Sequence, residues 1–561
     1  MTGIASAMDH SRVADAATIN GLLRCWLRET AAEVPESGVL QLPLPAAGTS
    51  VHVDVLRCSP TGHHQFGEVR FPGGGVVNAV TLAGLLSAES TTDPDTASDL
   101  VGRVADSQYR TARHLRERRA ETVVPQEITP FLAAEQALLL GHPMHPTPKS
   151  RVGWTDAEAT AYSPELRGAF QLHWFAADRS VVSSQGEVAD LLGGYAPEVD
   201  AGAVAVPLHP WQAAEVRERP GVRELFDTGL LRDLGPSGVP WFPTASIRTL
   251  YRPDAPVMLK FSLGMPITNS KRENLRKELH RGVEIDRLLG SGLAAEISAA
   301  HPGFSIVRDP AWLAVDPAAG SGRQESGIEV VVRDNPFGVD ERAACVAGLL
   351  AERPDLGRSA LGELIAGLAD RTGTTVAEVS EQWCARYFDN VIAPVLWLYR
   401  AHGLGLEAHQ QNTVVALDAE GWPCGGWYRD NQGYYISATR VGELERFLPG
   451  VGEFGDNRVE DAVIDERLGY YIGVNNLLGL VGAFGSQGLA DERRLLGLLG
   501  ERLREFSDLP LAKTLADATT LRCKANLLTR IDGLDELVGP LETQSVYVDI
   551  DNPFAEGETV A

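Results

Sequence analysis

What the sequence lacks narrows the field first. Positive charge is scarce: 50 Lys and Arg face 75 Asp and Glu among 561 residues, a formal net charge of −25. Binding to a phosphate backbone or an anionic membrane rests on clustered Lys and Arg, so neither a nucleic acid nor a membrane is an expected partner. A small anion needs only a local basic pocket and is not excluded. Cysteine is sparse too. Cys25, Cys58, Cys345, Cys384, Cys424 and Cys523 are scattered with no Cys-x-x-Cys pair, neither the spacing of a zinc site nor the density of a disulfide scaffold. Reduced thiols in a cytoplasmic protein are the expectation. No apolar run approaches the ~18 residues of a membrane span. The opening MTGIASAMDHSRVADAATING has no apolar stretch after a basic one, so no signal peptide is expected, and no solenoid-length repeat is visible.

What is present is an ordinary globular composition, 44% hydrophobic and 22% charged. A chain of this length exceeds one hydrophobic core, so two or three domains are expected, with boundaries near residues 125–140 and 335. An amphipathic helix is expected over 12–34, then strands over Gly38–Leu44 and Ser50–Arg57. RFPGGGVV lacks the Gly-x-Gly-x-x-Gly spacing and a following helix start, so it reads as a turn. Ser87–Asp99 reads as a loop or helix entry, and two helices follow over 100–140. Helix and strand alternate over 155–300, a flexible loop is expected at 316–327, and strands at Ile328–Arg333 and Thr413–Leu417. Leu349–Gly373 and Val376–His402 read as helices, the second apolar along Trp383, Tyr387, Val391, Val395 and Leu398.

Three segments carry chemistry. Between Pro243 and Leu289, Ser246, Arg248, Thr249, Lys260, Thr268, Asn269, Lys271 and Arg272 sit in short segments between apolar strands. Ser270 with Glu273 reads as a capping box that starts a helix near Lys271, whose free N–H groups beside Arg272 would hold carboxylate or phosphate. A solvated basic face is the plainer reading. The proline-broken GHPMHPTPKSRVGW displays His142, His145, Lys149 and Arg151. No further ligand joins the two histidines at zinc spacing, so anion contacts fit better. The third segment places Glu407, His409, Gln411 and Asn412 before the strand Thr413–Leu417, and Asp430 after the next strand. Acid, amide and a second acid is an order used to hold Mg²⁺ against a triphosphate, because magnesium takes one or two carboxylates plus phosphate oxygens. Surface carboxylates are the alternative. Together the cations and acids fit the joining of a carboxylate to ATP, which brings two polyanions together.

GHPMHPTPKSRVG, HPWQ, PTASIRT, the lysine of MLKFSL, ITNSKREN and EAHQQN, in this order, resemble the NRPS-independent siderophore synthetases, the aerobactin-synthetase-like (IucA/IucC) family. KANLLTRI resembles that family's C-terminal portion, and the likeness spans roughly residues 130–535. The resemblance implies an α+β (mixed α/β) fold shaped as a cupped hand, with mixed and antiparallel sheets flanked by helices. Its thumb would be 1–130, its fingers 131–335 and its palm 336–561. It implies an enzyme that adenylates a carboxylate, usually citrate or a citrate or succinate derivative, with ATP and Mg²⁺, before an amine or hydroxyl displaces AMP. Carried over by motif, Ser246, Arg248, Thr249 and Lys260, helped by His142, His145 and Lys149, would contact ATP. Glu407, Gln411, Asn412 and Asp430 would serve the nucleotide, and Glu407, Asn412 and Asp430 the Mg²⁺. Thr268, Asn269, Arg272 and His409 would hold the carboxylate, and Arg272, His409 and Lys260 would act in catalysis. Homodimers are common in the family, though no interface is legible. The alternatives are a kinase-like phosphotransferase using Glu407, Asn412 and Asp430, and a non-enzymatic chelate- or citrate-binding protein.

Overall fold

The computed structural model describes residues 9–120, 128–318, 320, 324–354, 357–534 and 545–556. Its centre is an eight-stranded sheet in the order Val182–Gln185, Ala311–Val315, Glu329–Asp334, Val257–Phe261, Thr249–Tyr251, Leu231–Pro243, Phe170–Asp178 and Ala203–Leu208. Every pairing in it is antiparallel. Side chains alternate between its faces. Val257, Leu259 and Phe261 join Leu313, Val330 and Val332 in one apolar core, so Met258 and Lys260 point the other way. The register sets Lys260 opposite Thr249 on one side and Val331 on the other, with Met258 opposite Arg333. That second face is covered in part by the helix Arg276–Leu288, whose Leu279 and Val283 pack on Trp312, Ala314 and Val331. Both faces are therefore buried, and the cations in VMLKF and EVVVRD lie inside the protein rather than on it.

C-terminal to this, a four-stranded sheet runs Phe304–Ile306, Pro423–Tyr428, Thr413–Leu417, Ala343–Cys345. The strand Thr413–Leu417 has the expected bounds. Helices Val376–Tyr387 and Ala393–His402, joined through a π turn, bury the expected face of Trp383, Tyr387, Val391, Val395 and Leu398 in the largest core. The expected helix over 349–373 is instead two helices, Val346–Leu350 and Ala360–Thr372, with Pro354 in the gap, where it removes a backbone donor.

At the N-terminal side, a helix spans His10–Glu29, shorter than the expected 12–34 at its C-terminal end because Ala31 takes a left-handed φ of 51°. Asp9 caps its start. Strands Gly38–Leu44 and Thr49–Arg57 follow as expected. RFPGGGVV is a turn, closed by a hydrogen bond from Phe71 N to Gly75 O of 2.8 Å, but a helix start does follow it, Ala79–Ser90, whose first turn is capped by Asn78. The stretch 87–99 holds the end of the helix Ala79–Ser90 and the start of Pro94–Ala120; a short helix Pro130–Glu135 follows. Leu22, Leu42 and Val53 share a core with Leu527 and Ile531 from the far end of the chain. Of the expected loop 316–327, residues 319 and 321–323 lie outside the described residues. Mixed helices and mostly antiparallel sheets make this an α+β protein. Among the described residues no helix is long and apolar enough to cross a membrane, and the six cysteines are free thiols.

The helices Pro130–Glu135 and Val346–Leu350 approach so closely that a β-carbon on Gly348 would lie 1.9 Å from the Ala134 carbonyl oxygen. Gly348→Ala is expected to destabilise the fold by about 1–3 kcal/mol, since backbone on that side cannot yield cheaply. A denaturation midpoint equal to that of the unaltered protein would show that the two helices do not meet this way.

Candidate active site

The turn between Leu231–Pro243 and Thr249–Tyr251 is wound tightly by its own hydroxyls. Thr249 N donates to Ser246 Oγ at 3.1 Å, and the Thr244 and Ser246 hydroxyls lie 3.1 Å apart. Between Ser246 and Arg248, Ile247 holds a left-handed φ of 68°, costly for a β-branched residue. Its side chain is pinned among Trp154, Leu263 and Met265. The turn therefore presents Thr244, Ser246 and Thr249 to a cavity that Arg333, Asn412 and Asp430 also line, with Met258, Gln411 and Arg429.

The hairpin Thr413–Leu417/Pro423–Tyr428 brings the acids to the same place. Its register sets Thr413 opposite Tyr428, with a bulge near Leu417 taking up the turn. The loop before one strand thus meets the loop after the other, and Arg429 N donates to Asn412 O at 3.0 Å. Asp430 holds a φ of 85°, and Tyr428 Oη donates to its carbonyl at 3.1 Å. The Asp430 carboxylate pairs with the Lys260 ammonium and stands 3.5 Å from Arg333, which is itself forked onto buried Asp309 at 2.6 and 3.0 Å. Burial pushes the Asp430 carboxyl up, but Lys260, Arg333 and Arg248 together outweigh it and hold it far below the usual range.

Arg248 is buried differently. Its Nη1 donates to the Arg272 carbonyl at 3.0 Å and the Asn274 amide oxygen at 2.7 Å, both neutral. Burial lowers it to about 10, with Asp430 and Glu278 pulling back. With Arg272 beside Arg248, four cations (Arg248, Arg272, Lys260 and Arg333) thus face three carboxylates (Glu278, Asp309 and Asp430), leaving one positive charge in excess. An uncompensated buried cation is costly unless an anion joins it. The wall behind is fixed by Glu135, which accepts from Ala245 N at 2.8 Å and pairs with Arg429 at 2.8 Å.

The expected helix start near Lys271 is not there. Ser270–Arg272 is a strand paired with Leu263–Ile267, Ile267 opposite Ser270, so Thr268 and Asn269 form a two-residue hairpin loop. Thr268 takes the positive φ of 57° that such a loop needs. The helix begins at Arg276, and Glu278, not Glu273, reaches back to Leu275 N at 3.0 Å. Strand pairing wins because the apolar face of LGMPI buries Leu263, Met265 and Ile267; Glu273 goes instead to Arg219 at 2.6 Å. Arg272 is consequently aimed by the hairpin, donating to Thr268 Oγ1 at 2.8 Å.

His409 is within electrostatic reach of Asp430, His142, Lys524 and Arg272. Its Nδ1 accepts from Gln411 N at 3.3 Å and its ring packs 5.7 Å from that of Tyr471. Burial depresses His409 to about 3 and His142 to about 4, so both imidazoles are neutral. His142 Nε2 stands 3.1 Å from the Asn475 amide, which accepts from Gln410 N at 3.1 Å, joining the proline-broken loop to the 407–412 loop. Glu407 accepts from Tyr435 Oη and lies against Gly433, where a β-carbon would come 2.4 Å from its Oε2. Burial raises the Glu407 carboxyl, and Tyr435 opposes the shift.

The structure therefore gathers Ser246, Arg248, Thr249, Lys260, Gln411, Asn412 and Asp430 at one cavity and its wall, with Thr268, Arg272, His142, His409 and Glu407 adjoining. The Lys149 ammonium is paired with Glu165, both buried. His145 is buried with Nδ1 accepting from Thr147 N at 3.0 Å, and Asn269 reaches the Asn526 carbonyl at 3.4 Å. The sequence reading overlooked Thr244, Arg333, Arg429 and Lys524. Arg333 had a signal, a cation inside an apolar strand like that of Lys260.

Residues 130–351 match the sequence model of the IucA / IucC family, and residues 381–539 that of the ferric iron reductase FhuF-like transporters. The rhizobactin siderophore biosynthesis protein RhbC of Rhizobium meliloti is 38% identical, the alignment covering 98% of this chain and 99% of that protein. A spermidine–citrate ligase of Bacillus anthracis is 35% identical, covering 98% of this chain and 99% of the ligase. The structure of ATP-bound aerobactin synthetase IucA from Klebsiella pneumoniae superposes with a TM-score of 0.84 at 26% identity, over 98% of this chain and all of that one. With relatives this similar over their whole length, the chain belongs to the IucA/IucC family of siderophore synthetases.

Proposed function

We propose that this chain is an ATP-dependent ligase of siderophore assembly that activates citrate, or a citrate or succinate derivative, and condenses it with an amine or hydroxyl group. The observation that carries this reading is the excess of positive charge at Arg248, Arg272, Lys260 and Arg333 beside the hydroxyls of Ser246 and Thr249. A triphosphate supplies the missing negative charge, and its leaving pyrophosphate gains more as charge builds. The names of the relatives, a spermidine–citrate ligase among them, support the substrate class. They lend no support to the phosphotransferase reading.

In this reading a carboxylate oxygen attacks the α-phosphorus and pyrophosphate leaves. The acceptor nitrogen or oxygen then attacks the acyl carbon, the bond to AMP breaks with its electron pair on AMP, and the acceptor loses a proton. Thr268, Arg272 and neutral His409 hold the carboxylate; Lys524 stands beside them. Glu407, Asn412 and Asp430 offer two carboxylates and an amide, a donor set that fits Mg²⁺ when phosphate oxygens complete it, since magnesium seldom takes an all-protein cage. Among the described residues no cluster of three or more acids, histidines or cysteines forms such a cage. Magnesium would neutralise phosphate charge there. The division into 1–130, 131–335 and 336–561, a cytoplasmic location and a homodimer belong to the same proposal.

Incubation with ATP, Mg²⁺, hydroxylamine and a panel of carboxylates is expected to give a hydroxamate with AMP and pyrophosphate. Release of ADP instead, or no pyrophosphate with any acid, overturns the reading. Arg272→Ala is expected to raise the KM for the carboxylate about ten- to a hundred-fold, the value of a charged hydrogen bond, with little change for ATP. Equal effects on both substrates would remove Arg272 from the carboxylate site. The histidines set a pH dependence. Their folded pKa values, about 3 and about 4, lie below the ordinary 6.5, so the unfolded chain binds more protons in acid. Stability is full above pH 6.5 and falls as the pH drops toward 4. Replacing His409 with Gln should flatten the melting-temperature profile in that window; an unchanged slope would count against a buried neutral imidazole.

A further inference from the structure

Asn274, between the strand Ser270–Arg272 and the helix Arg276–Leu288, is fully buried. Its amide oxygen accepts from Arg248 Nη1 at 2.7 Å and from Gln432 Nε2 at 3.2 Å. Its amide nitrogen donates to the main-chain oxygens of Lys260, at 3.2 Å, and Glu329, at 3.3 Å. Two acceptor sites and two donors are all that a carboxamide has, and all are used. The amide cannot be turned over, because the guanidinium needs an oxygen and the two carbonyls need N–H groups. Asn274 N also donates to Ser262 Oγ at 2.9 Å, and that hydroxyl donates to Glu329 at 2.7 Å.

We propose that Asn274 is the positioning residue of the nucleotide site, aiming Arg248 and fixing the strand position of Lys260 through one saturated amide that also reaches the Asp430 loop at Gln432. This rests on the reading that Arg248 faces the ATP phosphates. The chemistry of the side chain explains why it is an amide. An aspartate would orient Arg248 equally well but neutralise it, removing the charge that a phosphate is to meet, and would press a second oxygen against two carbonyls. Alanine would leave the guanidinium and both carbonyls short of a partner. A neutral acceptor holds the cation in place and leaves its charge for the ligand.

The test compares Asn274→Ala, Asn274→Asp and Arg248→Ala in the full chain, measuring separate KM values for ATP and the carboxylate, kcat, and melting temperature. Asn274→Ala is expected to raise the KM for ATP about ten-fold, the effect of a lost charged hydrogen bond, and to leave that for the carboxylate within about two-fold. Asn274→Asp is expected to raise it further, although it keeps the size of the side chain. A residue that only supported the fold would give the opposite order, with alanine the worse, and its losses would appear in melting temperature and kcat. That order, or an unchanged KM for ATP in Asn274→Ala, overturns the proposal. Should the aspartate variant not fold, the alanine variant alone decides. Arg248→Ala separates the two levels. If it leaves the KM for ATP unchanged, the nucleotide reading itself fails; if it raises that KM and Asn274→Ala does not, only the role of Asn274 fails.

Discussion

The rest of the molecule depends on one carboxylate, that of Asp430, set against a buried lysine. Asp430 belongs to the C-terminal sheet, while Lys260 and Arg333, which it faces, belong to neighbouring strands of the central sheet. The Lys260 ammonium inside VMLKF is tolerable because the hairpin Thr413–Leu417/Pro423–Tyr428 delivers an acid to it, whereas Arg333 inside EVVVRD is already forked onto Asp309. Removing Asp430 would strand the buried Lys260 ammonium, which is the costlier half of such a pair. The remaining imbalance is small, one positive charge, and it sits where hydroxyls and amides are already assembled.

Local strain marks the same places. Ile247, Thr268 and Asp430 each hold a positive φ, at 68°, 57° and 85°, and each lies within one of the three loops that meet at the site. Non-glycine residues are held there only when the surroundings over-determine them, at about 1–3 kcal/mol each. Here the holding groups are visible: the packing of Ile247, the hairpin pairing around Thr268, and the Tyr428 hydroxyl on Asp430.

Much of this was legible in the sequence, and the exceptions have physical causes. The strands with clean alternation or a compact apolar run appeared where expected, as did the long buried face of Val376–His402. The helix start at Lys271 was misread because a Ser-x-x-Glu pattern is local, whereas the strand pairing that displaced it depends on Leu263, Met265 and Ile267 finding a distant core. Gathering Arg248, Lys260 and Asp430 needed two sheets in register, which no spacing along the chain encodes. Lys149 shows the converse. Its motif could be recognised, but its partner Glu165 could not, since only the fold brings the two together.

The first core of the chain is finished by nearly its last described helix. Leu527 and Ile531 fill the hydrophobic layer of Leu22, Leu42 and Val53, and the Glu29 carboxylate caps the helix Asn526–Ile531, accepting from Leu527 N at 2.9 Å and Leu528 N at 2.8 Å. During synthesis, therefore, the N-terminal layer leaves the ribosome with a gap in its interior. It stays incomplete until some five hundred further residues have been made, so the layer of Leu22, Leu42 and Val53 reaches its final packing only after the helix Asn526–Ile531 exists.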